Sequence, residues 1–347
     1  MPVTAHANKI VFRNTLEEGV KQQDEEIDFG QRMINSIDVQ FVDTNLYMSK
    51  ELWLPFGSRG AFGGQVVAQA LLSSWNTVEE GFNVHSLHAY FILACNVEIP
   101  VIYQVQRIRD GRSFVTRMVT ATQKGKPIFL LTCSFVKTDD NLNMDSQIDM
   151  PDVPGPENYP STSSDLRFLG NIVTNTTDYP VKFRKQVEKV LADDQPIDYR
   201  EVHSLSPLEI MKGESEATTV NRRWFRTRGP LTDDVRLHAC VIAYASDSGF
   251  LNTAARANGV SYSSPSVGMM TSLDHSIWFH KPARADEWLL FDKYSPRSIN
   301  GRSVVLGKIY TRDGCLVATA AQEGIIRLSE IGQKKLQKKL DLTDSKL

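Results

Sequence analysis

The sequence predicts an α+β fold built from two tandem units, each an antiparallel sheet laid against one long helix. Three observations predict it. The tripeptide Gly-Arg-Ser occurs at Gly111–Ser113 and again at Gly301–Ser303, each time behind a Ser-Leu segment that ends in aromatic residues, Ser86–Phe91 in one half and Ser272–Phe279 in the other. Further upstream in each half lies an Ala/Val-rich helical run, Gly63–Trp75 and His238–Leu251. After each helix come consecutive strand-like runs with turn signals between them, which is the order of an α+β domain. Similar segments recurring in a fixed order mark a duplicated structural unit.

Residues 1–30 are polar and read as an N-terminal extension, poorly ordered or a short capping helix. The first unit is expected over 31–138. Gly57, Gly60, Gly63 and Gly64 lead into a helix whose Val66, Val67, Ala70, Leu71 and Ser74 recur at three- and four-residue spacing, a buried face. Paired glycines at its start let neighbouring backbone approach closely, and packing alone would also explain them. Strands follow at Val84–Ile92, Val101–Arg109, Ser113–Gln123 and Pro127–Val136, with hairpin signals at Asp110-Gly111 and Lys124-Gly125. Residues 139–195 read as a linker or surface excursion: Asp, Asn, Ser and four prolines crowd its start, and Phe183–Ala192 adds one short helix. The second unit is expected over 196–330. Its strand Thr218–Thr227 precedes helix Arg236–Leu251, and strands follow at Ser272–His280, Trp288–Ser295, Ser303–Thr311 and Leu316–Arg327. Arg312-Asp313-Gly314 repeats the hairpin signal of Lys124-Gly125. Residues 331–347 form a Lys-rich tail that reads as a solvated helix or a frayed end.

Composition narrows the function. At 347 residues with a formal charge of -2, the chain has room for two cores and no electrostatic case for nucleic acid or an anionic membrane surface. Arg222-Arg223-Trp224-Phe225-Arg226 alternates Arg with aromatics, which reads as one solvated and one packed strand face. No apolar run reaches the ~20 residues needed to span a bilayer. The four cysteines sit singly in apolar runs without CxxC spacing and read as buried reduced thiols, so neither disulfides nor a metal is expected. The chain ends in Ser345-Lys346-Leu347, the SKL address read by the peroxisomal import receptor. A given terminal tripeptide arises by chance on the order of once in 8,000, which makes this a peroxisomal expectation.

Nucleophile-elbow, Walker and HExxH patterns are all missing from the sequence. The chemistry must come from polar residues inside apolar elements. Asp247 ends the apolar run Val241–Ser246, Gln322 interrupts Leu316–Ile326, and Ser272 starts an aromatic-rich strand. These three fall where the first copy shows roughly Leu72, Ser86 and Ser134, so one half reads as scaffold and the other as a site. A carboxylate in an apolar helix must be paired, hydrogen-bonded or placed at a cavity; a cap for Asp247 and an edge position for Gln322 are the plainer readings. Together the three fit water activation, with a carboxylate taking the proton and an amide and hydroxyl holding the water. Asp274 and His275 lie on opposite strand faces and cannot form a dyad without a bulge.

The runs Tyr244–Asp247, Ser272–His280 and Ala321–Gly324, together with Phe62–Val67, His85–Phe91 and Arg109–Phe114, resemble the signature of the acyl-CoA thioesterase II family. With the terminal SKL, the peroxisomal branch of that family is the nearest match. The resemblance covers roughly residues 45–137 and 220–328. It implies a double hotdog fold and hydrolysis of acyl-CoA to fatty acid and CoA without cofactor or metal. It also implies a catalytic Asp, Thr or Ser, and Gln, here Asp247, Ser272 and Gln322. Ser stands where bacterial members commonly carry Thr. Gly63 and Gly64 are the expected oxyanion donors, because such sites combine both halves. A homo-oligomer is expected from exposed sheet edges. The alternatives are a non-catalytic acyl-CoA-binding or assembly protein and a hotdog hydratase; the second lacks its G-D-x-N-P-x-H run.

Overall fold

The structure, a computed structural model, describes residues 28–55, 58–138, 141, 143–161, 195–205, 209, 213–261 and 264–344. The predicted helix Phe183–Ala192 and the terminal Ser345-Lys346-Leu347 lie outside the described residues. The first half runs α1 (Phe29–Ile37), β1 (Val39–Asp43), β2 (Leu46–Ser49), α2 (Gly63–Trp75), β3 (Phe82–Phe91), β4 (Ile102–Asp110), β5 (Phe114–Gln123) and β6 (Lys126–Lys137). The second runs β7 (Ile197–Glu201), β8 (Val220–Thr227), α3 (Val235–Asp247), α4 (Asn252–Ala257), β9 (Val267–Ser272), β10 (Asp274–Phe279), β11 (Leu289–Ile299), β12 (Arg302–Thr311), β13 (Leu316–Leu328) and α5 (Glu330–Asp344).

Local chemistry sets most of these boundaries. Lys124 and Gly125 both take positive φ, the geometry a two-residue hairpin demands, and Asn300-Gly301 does the same between β11 and β12. Asp28 caps α1 by accepting the Gln31 N–H at 2.9 Å, and Asp234 caps α3 by accepting that of Arg236 at 3.0 Å. α2 is buried on nearly every side, as its Ala, Val, Leu and Gln content at the centre of a sheet requires. Its two buried amides are satisfied: Gln65 and Gln69 donate to the carbonyls of Ser36 and Glu51, which ties α1 and the chain after β2 to the central helix.

The strands form one 13-stranded antiparallel sheet in the order β1-β2-β4-β5-β6-β3-β10-β13-β12-β11-β8-β7, with β9 pairing β13. The halves join where β3 pairs β10, with His88 opposite Ser276 at the centre. Ser86 lies opposite Trp278 and Tyr90 opposite Asp274, so across this pseudo-dyad the counterpart of Ser86 is Asp274. Ala321 stands opposite Ser276 as Thr132 stands opposite His88, which makes Cys133 the counterpart of Gln322. The sequence alignment of the two copies was therefore off by one residue at Gln322 and by two at Ser272.

Three expectations need correction. The second helix does not reach Leu251. It ends at Asp247, where Ser248 turns extended and Gly249 takes φ +61, and α4 restarts at Asn252. The strand Ser272–His280 is two strands, and Ser272 ends β9 instead of opening β10. A bulge divides them: Leu273 donates to Glu323 O at 2.9 Å, while the Glu323 N–H turns to the Asp274 carboxylate at 2.8 Å. Strand β8 has no solvated face. Arg223 and Phe225 point to the core, and Trp224 is buried on the outer face with Leu290 and Tyr310. What covers it is the Pro-rich segment, whose Met150, Val153 and Tyr159 pack there while Pro154 O accepts from Trp224 Nε1 at 3.0 Å. This stretch of the excursion is a strap over the sheet.

Candidate active site

The N-terminus of α2 meets the C-terminus of α3 beneath the β3–β10–β13 junction. The approach is close. A Cβ on Gly64 would lie 2.3 Å from Tyr244 O, and one on Gly63 would lie 2.8 Å from Asp247 Oδ2. Only glycine allows this contact. Phe62, the N-cap residue of α2, supplies no side-chain cap, and its ring packs on Tyr244 with centroids 4.8 Å apart. First-turn N–H groups have no intrahelical acceptor, so the positive end of α2 faces the Asp247 carboxylate.

Asp247 is half-buried, and its Oδ1 accepts a hydrogen bond from Gln322 Nε2 at 2.7 Å. The donor must be the amide nitrogen, because a flipped side chain would set two oxygens against each other. Gln322 is 1% exposed, and its Oε1 is buried without a partner among the described residues. An unpaired buried acceptor is expensive, on the order of 1–3 kcal/mol, unless something at work in the site fills it. Gln322 reaches Asp247 because β13 alternates: Ala320, Gln322 and Gly324 face inward, while Ala321 and Glu323 face out.

Ser272 lies opposite Gly324, on the same inner face and one diagonal step from Gln322. Among the described residues its hydroxyl makes no hydrogen bond to Asp247 or Gln322. The structure thus joins Asp247, Gln322 and Gly63 directly, sets Gly64 beside them at Tyr244, and places Ser272 at the margin of the group.

Asp274 and His275 part company at the bulge. His275 is fully buried, and its Nε2 meets Ser246 Oγ at 2.8 Å, on the turn of α3 that carries Asp247. Burial holds its imidazole below the ordinary range, an effect the Asp247 charge partly offsets. Asp274 is raised by burial, against the pull of the Glu323 N–H. A depression at the β3–β10–β13 junction is lined by His88, Tyr90, Asp274, Ser276, Gln322 and Glu323. It does not contain the Asp247 carboxylate. Arg302 pairs with Glu323 at 3.6 Å.

Sequence reasoning missed the group behind Asp247. Arg223 and Lys293 are buried, and Glu201 and Tyr199 half-buried, on the inner faces of β7, β8 and β11, and Arg223 Nη2 lies 2.5 Å from Glu201 Oε1. The signal was present in Arg223, one residue from Trp224, but its partner lies on a strand too short to recognise. The thiols of Cys95 and Cys133 are free and buried, pushed up to about 11 and about 12 by desolvation, which leaves them inert. Among the described residues no group of His, Cys, Asp or Glu is placed to hold a metal ion, and no helix is long and apolar enough to cross a membrane.

Comparison with known proteins agrees with the two-unit fold. The acyl-CoA thioesterase family model matches residues 190–325, and the model for the N-terminal domain of acyl-CoA thioesterases matches residues 50–136. The chain is 37% identical to acyl-coenzyme A thioesterase 8 of Mus musculus, over 86% of this chain and 90% of that protein. It is 27% identical to peroxisomal acyl-coenzyme A thioester hydrolase 1 of Saccharomyces cerevisiae, over 78% and 87% of the two chains. The crystal structure of an acyl-CoA thioesterase II of Mycobacterium marinum superposes with a TM-score of 0.65 at 32% identity, covering 86% of this chain and 99% of that one. The two helix-and-sheet halves are a double hotdog, and the chain belongs to the acyl-CoA thioesterase II family, the enzymes that hydrolyse acyl-CoA thioesters.

Proposed function

We propose that Asp247 is the general base of this hydrolysis, acting on a water held by Gln322 and Ser272 and directed at the thioester carbonyl. The observation that carries the reading is the Gln322 Nε2–Asp247 Oδ1 hydrogen bond of 2.7 Å with Gln322 Oε1 left buried and free. One amide oxygen and one carboxylate oxygen can each accept an O–H of the same water, which aims its lone pair away from both. Asp247 takes one proton as the water oxygen bonds to the carbonyl carbon. The resulting oxyanion sits at the first-turn N–H groups of α2, at Gly63 and Gly64, where the helix dipole favours negative charge. Collapse of this intermediate breaks the C–S bond, and the proton on Asp247 leaves with the CoA thiolate. No acyl-enzyme forms.

Substitution at the two supporting positions tests the scheme. Gln322→Ala should lower kcat by about 10²-fold, the cost of losing water positioning. Ser272→Ala should cost about tenfold or less, because its hydroxyl touches neither partner directly. A Ser272→Ala enzyme as dead as one lacking Asp247 would favour a serine nucleophile and refute the scheme. The boundaries 31–138 and 196–330 are our division of the two hotdog units.

The peroxisomal matrix is the compartment this reading assigns. It is supported by Ser345-Lys346-Leu347, which follow directly on the mostly exposed α5, and by the yeast relative's name. A fluorescent protein fused ahead of this chain should enter peroxisomes through the import receptor and stay cytosolic once the three residues are removed; unchanged import would refute the assignment. A homo-oligomer is part of the same reading, since among the described residues β1 and β7 end the sheet. Sedimentation as a monomer at micromolar concentration would contradict it.

A further inference from the structure

The end of α3 is an awkward place for a carboxylate. Helix C-termini carry partial negative charge and unsatisfied carbonyls, and an acid there is disfavoured. Asp247 is the last helical residue, and the chain then breaks sharply through Ser248 and Gly249. Something must hold that break in one conformation, since an error of ~1 Å in a base can cost on the order of 10² in rate.

Arg223 sits at the break. Its Nη1 donates to Ser248 O at 2.8 Å and to Ser248 Oγ at 3.3 Å. Its Nη2 lies 2.5 Å from Glu201 Oε1 and would meet a Cβ on Gly249 at 2.8 Å. The guanidinium stacks 4.8 Å above the Tyr199 ring, and the residue is 7% exposed. A fork with one arm on a carboxylate and the other on the capping residue of the helix has little freedom left. The same charge is felt around it. Glu201, which burial alone would push up, is held below the ordinary carboxylate range, chiefly by Arg223 and then by Lys293. Tyr199, pushed up to about 12 by burial, is drawn down by Arg223 and pushed up by Asp247, which places both charges within reach of one phenol.

We propose that Arg223, clamped by Glu201, is a positioning residue: it fixes the Ser248–Gly249 break and thereby aims the Asp247 carboxylate. The inference rests on the reading of Asp247 as general base. It does not require Arg223 to touch substrate, so its removal should act on kcat and leave KM nearly unchanged.

The test is a double-mutant cycle on thiol release from acyl-CoA, using the full-length protein. Arg223→Met should lower kcat by about 10–10²-fold with KM within about threefold, and Arg223→Lys should recover part of the loss, because a lysine can reach one carbonyl but cannot fork. Glu201→Gln, which keeps the shape and loosens the clamp, should give a smaller fall and serves if Arg223→Met does not fold. The deciding result is the combination with Asp247→Asn. If Arg223 works through Asp247, the double variant is no slower than Asp247→Asn alone. Multiplied losses, a wild-type kcat in Arg223→Met, or a loss confined to KM would overturn the proposal. Full activity of Asp247→Asn by itself would instead remove the general-base reading on which it rests, so the two failures look different.

Discussion

Asp247→Asn should lose at least about 10²–10⁴ of kcat while keeping its fold, the range that general-base removal costs. The substitution is almost isosteric. The amide oxygen it introduces can still accept from Gln322 Nε2, so the 2.7 Å contact and the α3–β13 packing it supports survive. What disappears is the ability to take a proton. Gly63, whose missing Cβ leaves 2.8 Å to the carboxylate, tolerates an amide there as well as an acid. Thiol release with short-, medium- and long-chain acyl-CoA substrates, read beside a thermal melt, checks both halves of the expectation. Retained kcat, or loss of kcat together with the melting transition, would count against Asp247 as the base.

Gly64→Ala should destabilise the protein by about 3 kcal/mol, the upper range for overpacking a buried contact. Its Cβ would stand 2.3 Å from the backbone oxygen of Tyr244 and 2.6 Å from the Phe62 ring. A carbonyl oxygen within a helix cannot swing aside, so α2 and α3 must separate, and with them the two halves of the site. Gly63→Ala makes the instructive contrast. Its Cβ meets the tip of the Asp247 side chain at 2.8 Å and the edge of Phe91 at 3.0 Å, both of which can move. Urea denaturation should therefore show a large loss for Gly64→Ala and a smaller one for Gly63→Ala, while kcat falls in Gly63→Ala even where the protein is fully folded. Equal stability losses would mean that the helix contact is looser than this geometry.

How much of this was legible depends on the range of the interaction. Lys124-Gly125 announced its hairpin because two adjacent residues set the turn, and α2 was bounded to the residue by its glycines and its apolar run. The pairing of Asp247 with Gln322 could be sought in the sequence because each residue breaks an apolar pattern. The break after Asp247 was hidden, since Phe250 and Leu251 continue the apolar run while the extended Ser248 and the positive φ of Gly249 stop the helix. Strands β1 and β2, at five and four residues, are too short to show alternation. The bulge at Leu273 and Asp274 exists because an aspartate side chain replaces a backbone acceptor for Glu323, a pairing 49 residues apart. Arg223 is the clearest case. A strand of alternating Arg and aromatics looks half-solvated until Glu201 is found on its inner side and Met150, Val153 and Tyr159 on its outer side.

The central claim is that water, held by Asp247 and Gln322, attacks the thioester directly. Rapid-quench sampling of one turnover, with the protein's intact mass read at each time point, tests it most directly. The account predicts that CoA and free fatty acid appear at the same rate and that the protein mass never changes. An acyl adduct on Ser272 that forms with CoA release and decays with fatty-acid release would contradict it.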